Sequence, residues 1–238
     1  HALAWRLSIS PSVTKVYAIP GSAAMSDCAE LVGIDWQQSD HLIRFLKDNY
    51  VDLVVVGPEA PLVAGLADAL NAAGVPVFGP SKAAAQLEGS KVFAKDLMKK
   101  YNIPTAAYGV FHKVDEAKEF IAQTGAPIVV KADGLAAGKG VVVAMTVEEA
   151  NAAVEDMLSG NRFGDAGSTV VIEEFMEGEE ASLLAFVDGK TVVPMIASQD
   201  HKRIFDGDKG PNTGGMGTYA PAPVLTDALR DEAMKTIL

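Results

Sequence analysis

The chain has 238 residues, a formal net charge of −11 and an isoelectric point near 4.8. This acidity argues against nucleic-acid binding through a broad basic surface, so any anion site has to be local. The single cysteine, Cys28, excludes an internal disulfide framework, and no apolar run approaches the roughly 20 residues of a membrane-spanning helix. We therefore expect a cytoplasmic protein without membrane or nucleic-acid partners. Its alanine, glycine and valine content favours an α/β fold.

The first half of the chain alternates predicted helices and strands, beginning with a helix at residues 1–7. Runs rich in β-branched residues predict the strands, and apolar residues at helical spacing predict the helices. The predicted strands are 15–19, 51–56 and 75–78, and the predicted helices between them are 39–50 and 62–71. This alternation is typical of parallel βαβ units.

The turns that follow two of these strands are candidate ligand sites. Gly21 and Ser22 follow the first strand, and Glu59 follows the second. Ligands of parallel sheets bind beyond the carboxyl ends of the strands, so we expect a small-molecule crevice there. Glu59 can equally be a solvated loop charge.

The residue pattern changes near residue 108, and we predict three parts. Residues 1–108 form a parallel-sheet, Rossmann-like domain with a helical linker, residues 109–178 form a small α+β unit, and residues 179–238 begin a larger unit. In the second and third parts the predicted helices are 115–123, 146–158 and 227–238, and the predicted strands are 127–130, 141–145, 169–175, 179–186 and 191–197. The Thr146 to Glu149 segment is a capping box that starts the middle helix.

Two glycine-rich segments are candidate anion sites. Residues 131–140, KADGLAAGKG, lie between two short strands and so predict a hairpin with a cationic tip. An ordinary mobile hairpin is the alternative, and the glycine spacing with a strand after the loop excludes a Walker A motif. Residues 199–217 read as a second glycine-rich loop, with cations at its start. It is either an anion site or a disordered surface loop.

Five segments in this order resemble the phosphoribosylamine–glycine ligase family, also called glycinamide ribonucleotide synthetases, of the ATP-grasp superfamily. The segments are GPEAPL at 57–62, GPSK at 79–82, KADGLAAGKG at 131–140, EEF at 173–175 with GEE at 178–180, and the loop at 200–217. The resemblance implies a Rossmann-like pre-ATP-grasp domain followed by an ATP-grasp fold that is incomplete at its carboxyl end. It also implies ATP-dependent ligation of glycine to 5-phosphoribosylamine through glycyl phosphate, as in purine biosynthesis.

The resemblance also implies roles for particular residues. The implied catalytic residues are Lys131, Asp200, Lys202 and Arg203. The implied ATP-binding residues are Lys91, Lys131, Gly138, Lys139, Gly140, Glu173, Glu174, Phe175 and Glu180. The implied substrate-binding residues are Gly21, Ser22, Glu59, Asp200, Lys202, Arg203, Pro211, Asn212, Thr213, Gly214 and Gly215. A solvated helix charge is the alternative role for Lys91.

Both ends of the sequence read as those of a fragment. The family's Mg²⁺ or Mn²⁺ ligands, a Glu and an Asn in a Glu-Phe-Asn segment, do not occur in the chain, and we expect them in a missing carboxy-terminal part. We expect a monomer or weak dimer. The alternatives are another ATP-grasp carboxylate–amine ligase or carboxylase, or a catalytically incomplete fragment that binds nucleotide.

Overall fold

A computed structural model describes residues 1–134, 140–159 and 168–238. The chain divides into two compact units, His1–Gly89 and Ser90–Leu238. The division precedes the helix at Lys91–Tyr101, which the sequence analysis assigned to the linker of the first domain. This helix belongs to the second unit because side chains and backbone groups at its first turns bond to residues of that unit.

The His1–Gly89 unit contains short strands joined by helices. Its strands are β1 (Tyr17–Ala18), β2 (Glu30–Leu31), β3 (Val54–Val55) and β4 (Val77–Phe78), and its helices are α1 (Ala2–Ser8), α2 (Ser39–Asp48), α3 (Glu59–Ala64), α4 (Leu66–Ala72) and α5 (Lys82–Gly89). A 3₁₀ helix covers Ala23–Asp27. The pairs β1–β2 and β3–β4 are parallel, which confirms the prediction of parallel strands. Leucines of α2 and α4 form the core beside β3 and β4.

The predicted helix at 62–71 differs from the structure. Helix α3 begins earlier, at Glu59, and Gly65 separates it from α4. Gly65 has a φ of 98°, in the left-handed region that favours glycine, so the chain changes direction there. The apolar spacing continues through this break, which is why the sequence pattern alone predicted one helix.

The Ser90–Leu238 unit is built on a four-stranded antiparallel sheet with the order β5-β8-β6-β7. The sheet strands are β5 (Tyr108–Phe111), β6 (Ile128–Ala132), β7 (Val141–Ala144) and β8 (Val170–Glu174), and the first three helices of the unit are α6 (Lys91–Tyr101), α7 (Val114–Thr124) and α8 (Val147–Ser159). Helices α7 and α8 bury one face of the sheet. The helices and strands predicted for residues 109–178 are present in this unit, and the limits of a separate domain at 109–178 stay a prediction.

Two hairpins and a helix complete the second unit. Strands β9 (Ala185–Val187) and β10 (Val192–Pro194) form the first hairpin; their pairing is as predicted, but both are shorter than the predicted strands at 179–186 and 191–197. Helix α9 covers Asp227–Thr236. The loop interpretation of residues 199–217 is wrong. That segment forms the antiparallel strands β11 (Gln199–Phe205) and β12 (Lys209–Tyr219), because backbone pairing needs no apolar alternation.

The hairpin of β11 and β12 turns through a glycine and is irregular along its length. Gly207 has a φ of 71° at the turn, and the pairing register shifts twice between His201 and Phe205. Such irregularities redirect side chains locally. Across the three described ranges, no helix has the length and apolar content needed to cross a membrane.

Candidate functional site

Two ionisable side chains extend from the same face of the four-stranded sheet. In the antiparallel pairing of β6 with β8, Val129 lies opposite Glu173 and Lys131 lies opposite Val171. Because side chains alternate between the faces of a strand, Lys131 and Glu173 form a diagonal pair on one face. The alternate residues of β6 pack in the core under α7 and α8. The fold therefore fixes both groups on the face that these helices do not cover.

Glu173 lies at the centre of a buried charge cluster. Its Oε2 atom accepts a hydrogen bond from Lys131 Nζ at 2.8 Å and lies 3.1 Å from Lys95 Nζ. Glu173 is 5% exposed and Lys95 is 7% exposed, and they are the two buried charged residues in the described part of the chain. Lys95 Nζ also donates to Thr105 Oγ1 at 2.7 Å and to the Ala106 carbonyl at 3.3 Å. These bonds offset the cost of burying the charges.

Sequence reasoning missed Lys95. The residue follows Lys91 by one helical turn on α6, next to the buried Ala94. The sequence does contain a signal that Lys95 is buried, because it lies among the apolar positions of an amphipathic helix, whereas a solvated lysine belongs on the opposite face.

Asp133, which follows β6, binds the N-terminus of α6. Its Oδ1 accepts from the backbone N–H groups of Lys91 at 2.6 Å and Val92 at 3.2 Å, and Ser90 Oγ donates to the same carboxylate. A carboxylate at a helix N-terminus is stabilised by the helix dipole. Lys91 Nζ donates to the Gly134 carbonyl at 2.8 Å. The structure thus places Lys91 against the base of the β6–β7 hairpin, and Asp133 is a second residue that the sequence analysis missed.

The predicted residues at the tip of this hairpin are only partly described. Gly138 and Lys139 lie outside the described residues. Gly140 is buried, and its carbonyl accepts a hydrogen bond from the Ala132 N–H at 2.8 Å. Gly140 therefore extends the pairing of β6 with β7.

Glu174 and Phe175 lie at the end of β8, beside a crevice of about 490 Å³. The crevice is also lined by Phe120 and Ile128. Glu174 is exposed, and its Oε2 accepts from the Ala107 N–H at 3.3 Å, which joins the ends of β5 and β8. The carboxylate of Glu174 thus lies apart from that of Glu173, since neighbouring strand residues point to opposite faces.

Glu180 pairs with the β11–β12 hairpin. Its Oε1 accepts from Lys202 Nζ, which also lies 3.6 Å from Asp200 Oδ2. Burial lowers the pKa of Lys202, but the hydrogen bonds and charges of Glu180 and Asp200 outweigh it, and the pKa is raised overall. The pair is open to solvent, with side-chain exposures of 39% for Lys202 and 64% for Glu180. The structure therefore brings these three predicted residues together.

Arg203 lies beside Lys202 and contacts the turn of the hairpin. Its Nε is 3.8 Å from Asp208 Oδ2, and its Nη1 donates to the Gly210 carbonyl at 3.4 Å. Across the hairpin, Thr213 Oγ1 donates to the Lys202 carbonyl at 2.8 Å. The remaining predicted residues of this segment are exposed in β12: Pro211, Asn212, Gly214 and Gly215.

The predicted substrate residues of the His1–Gly89 unit follow strands β1 and β3. Gly21 has a φ of 75°, and a Cβ there would lie 2.8 Å from Leu31 Cδ2, so the turn requires glycine. Ser22 precedes the 3₁₀ helix, and Glu59 is exposed in the first turn of α3. Each residue lies beyond the carboxyl end of a parallel strand, which is the predicted location.

Within the described residues, no group of three or more His, Cys, Asp or Glu side chains is arranged to hold a metal ion. The carboxylates described above are instead paired with lysines or with backbone N–H groups. These pairs offer anion-binding cations and not a metal centre.

Comparison with known families assigns both units. Residues 1–88 match the N domain of phosphoribosylglycinamide synthetase, and residues 89–238 match its ATP-grasp (A) domain. The junction between the matches lies within one residue of the division between the compact units.

Curated relatives align along the whole chain. The phosphoribosylamine–glycine ligase of Brucella melitensis is 58% identical over 238 residues, and that of Halalkalibacterium halodurans is 56% identical over 238 residues. Each alignment covers 100% of this chain and 56% of the relative. The chain thus spans little more than half the length of these relatives.

Solved structures share the fold. The crystal structure of phosphoribosylamine–glycine ligase from Thermotoga maritima is 34% identical, with a TM-score of 0.82, and the alignment covers 99% of this chain and 57% of that one. The biotin carboxylase domain of 2-oxoglutarate carboxylase from Hydrogenobacter thermophilus, solved with MgADP and bicarbonate, has a TM-score of 0.76. It is 18% identical, covers 99% of this chain and 54% of its own, and shows the likeness of fold alone. From the matches along its whole length, the chain belongs to the phosphoribosylglycinamide synthetase family.

Proposed function

We propose that the protein to which this chain belongs ligates glycine to 5-phosphoribosylamine with ATP. In this reaction the γ-phosphoryl group moves to the glycine carboxylate, and the amine then displaces phosphate from glycyl phosphate. The products are glycinamide ribonucleotide, ADP and phosphate. The identities of the acid and the amine are supported by the names of curated relatives that align with the whole chain. The proposed reaction is that of the whole protein, because this chain spans only 56% of the length of these relatives.

The observation that carries the proposal is the position of Lys131. Its side chain is 27% exposed on the sheet face that α7 and α8 do not cover, and the buried Glu173 holds its ammonium group in place. A lysine held in this way offers a preorganised positive charge to a phosphate. Because the lysine side chain is already ordered, binding does not cost the entropy of ordering it. We assign the triphosphate of ATP to Lys131 and to Lys91, which lies at the base of the same hairpin.

The other nucleotide contacts follow from the same sheet. Gly138, Lys139 and Gly140 of the hairpin are proposed to contribute phosphate contacts. The segment of Glu173, Glu174 and Phe175, at the end of β8, is proposed to meet the adenine, partly through backbone groups. For Glu180 we propose a role as acceptor of the ribose hydroxyl groups, since a carboxylate accepts from paired donors.

We assign substrate positioning to the β11–β12 hairpin and to the turns of the first unit. Asp200, Lys202 and Arg203 combine two cations with a carboxylate. The cations suit a glycine carboxylate and the phosphate of the amine substrate, whereas the carboxylate suits an ammonium group. The backbone of residues 211–215 would approach the substrates closely. Gly21, Ser22 and Glu59 are proposed to bind the amine substrate.

A divalent cation, Mg²⁺ or Mn²⁺, is proposed as the cofactor, with its ligands outside this chain. The described residues do not fit a metal site, so the roles proposed for them do not include metal binding. A cytoplasmic location, a monomeric or weakly dimeric state and a boundary near residue 178 between two ATP-grasp subdomains remain predictions.

The test uses the full-length protein supplied with ATP and different pairs of substrates. ADP should accumulate only when glycine and phosphoribosylamine are both present, together with glycinamide ribonucleotide. Bicarbonate is the matched control in place of glycine, because the biotin carboxylase domain with the same fold was solved with that anion. ADP formation with bicarbonate, or with another acid and amine, would reject the assignment.

A further inference from the structure

The carboxylate of Glu173 holds two lysines and not one. Lys131 Nζ and Lys95 Nζ lie 2.8 Å and 3.1 Å from the same oxygen atom, Oε2. One negative charge between two positive charges leaves the cluster with a net charge of +1. In a chain with a net charge of −11, this is a local excess of positive charge on a surface that is otherwise unfavourable for anions.

The two lysines differ in what they can reach. The side chain of Lys95 is 9% exposed, whereas that of Lys131 is 27% exposed. An ammonium group has three donors, and the donors of Lys95 are matched by three acceptors: Glu173, Thr105 and Ala106. A ligand on the sheet face can therefore contact Lys131, while the ammonium group of Lys95 stays bound to groups of the protein.

We propose that Lys95 is a positioning residue that keeps the charge of Lys131 available to phosphate. Lys95 balances the carboxylate of Glu173, so that Glu173 fixes the position of Lys131 without neutralising its effect on a ligand. This inference rests on the proposed function, because it takes a phosphate group of the nucleotide as the partner of Lys131. It assigns a role in nucleotide affinity to a residue that does not touch the nucleotide.

The surroundings of Lys95 hold its ammonium group beside Glu173. Asp96 accepts a hydrogen bond from Tyr108 Oη at 2.7 Å, so the next residue of α6 fastens the helix to β5. Lys95 Nζ lies 5.6 Å from the centroid of the Tyr108 ring, and the π face of an aromatic ring attracts a cation at this distance. The ammonium group of Lys95 is thus held from several sides at 3.1 Å from Glu173 Oε2, the same atom that Lys131 contacts.

The first experiment compares Lys95→Met with Lys95→Arg in the full-length protein. Methionine keeps an unbranched side chain but removes the charge, so Lys131 and Glu173 become a neutral pair. We expect Lys95→Met to weaken ATP binding about tenfold, with adenosine affinity unchanged, since adenosine has no phosphate. Lys95→Arg restores the charge and should bind ATP more tightly than Lys95→Met. Calorimetry with ATP and adenosine measures both affinities, and equal losses for the two ligands would contradict the proposal.

The double variant Lys95→Met with Glu173→Gln separates charge balance from structure. It removes both buried charges and again leaves Lys131 as the unbalanced cation. We expect the ratio of ATP to adenosine affinity to return towards the wild-type value. A ratio as low as that of Lys95→Met would contradict the proposal. If Lys95→Met does not fold, Glu173→Gln takes its place, because it leaves both lysines without a counter-charge and should raise the ratio of ATP to adenosine affinity above the wild-type value. An unchanged or lower ratio would contradict the proposal.

Lys131→Ala separates this inference from the proposed function. If the wild-type protein does not bind ATP, or if Lys131→Ala leaves ATP affinity unchanged, the proposed nucleotide site is wrong and the role of Lys95 is lost with it. If Lys131→Ala weakens ATP binding but Lys95→Met binds ATP as tightly as the wild type, only the role of Lys95 is wrong. Weaker binding by both variants, with adenosine affinity unchanged, supports both conclusions.

Discussion

The Ser90–Leu238 unit presents cations beside carboxylates in two places that differ in burial. In the four-stranded sheet, Glu173 is buried and holds two lysines at fixed distances. In the β11–β12 hairpin, the pair of Lys202 and Glu180 is open to solvent. A buried pair is costly to break, whereas an exposed pair contributes little and exchanges its partners readily. The charge cluster in the sheet is therefore held more rigidly than the charged pair in the hairpin.

The largest expected effect comes from removing the shared carboxylate. Glu173→Ala leaves two lysines close together without their counter-charge, and breaking a buried pair in this way typically costs about 3–5 kcal/mol. We expect faster hydrogen exchange in peptides that cover β6 and β8, measured by mass spectrometry on the full-length protein. Peptides of the His1–Gly89 unit provide the internal reference.

Glu155→Ala is the matched control for Glu173→Ala. Glu155 of α8 pairs with Lys118 of α7 in the same unit, but its side chain is 56% exposed. Removal of an exposed partner should change stability by less than about 1 kcal/mol. Similar exchange in the two variants would show that burial does not distinguish the sheet cluster from a surface pair.

The second expected effect concerns the nucleotide. Lys131→Ala removes a charge-assisted contact, so ATP affinity should fall by about 1.5–3 kcal/mol, as measured by calorimetry on the full-length protein. Lys118→Ala, a change at a lysine on the surface of the same unit, should leave the affinity unchanged. If ATP affinity does not respond to Lys131→Ala, Lys131 has a purely structural role.

A substitution in the β11–β12 hairpin should affect stability little and catalysis strongly. Lys202→Met breaks an exposed pair and should alter stability by less than about 1 kcal/mol. If Lys202 positions a substrate, kcat/KM for glycine should fall on the order of tenfold or more, because an oriented donor is lost. Steady-state kinetics and thermal unfolding of the same variant measure the two effects. A large loss of stability with normal kinetics would reverse the comparison between the two regions.

The sequence predicted much of this arrangement where local chemistry determines it. The β-branched residues at 127–130 and 141–145 predicted both strands of the β6–β7 hairpin, and in the structure β6 continues through Lys131 to Ala132. The glycines and charges of residues 199–217 lack the alternation of a strand and so predict a loop, whereas in the structure their backbone groups pair as β11 and β12.

The sequence pattern alone does not predict which residues pair with the charged side chains. Lys95 and Glu173 are far apart along the chain and meet because α6 packs near β8. The approach of Asp133 to the N-terminus of α6 depends in the same way on tertiary structure. Sequence patterns identify which residues are ionisable and which elements carry them, but the choice of partner follows from packing.

The smallest expected effect reports on how α6 is held against the sheet, through the hydroxyl group of Tyr108. Its hydrogen bond to Asp96, with contributions from burial and the Asp96 charge, raises the pKa of Tyr108 from 10.0 to about 12. The folded state thus favours the neutral phenol, and the resulting stability is complete below about pH 10 and is lost as the pH rises towards 12. Titration followed by phenolate absorbance should show a late-ionising tyrosine that Tyr108→Phe removes and Asp96→Asn moves to lower pH. Near-ultraviolet circular dichroism checks that the protein remains folded. If an ionisation step near pH 12 persists in Tyr108→Phe, another tyrosine is responsible for it. The contact between α6 and β5 would then be weaker than the structure indicates.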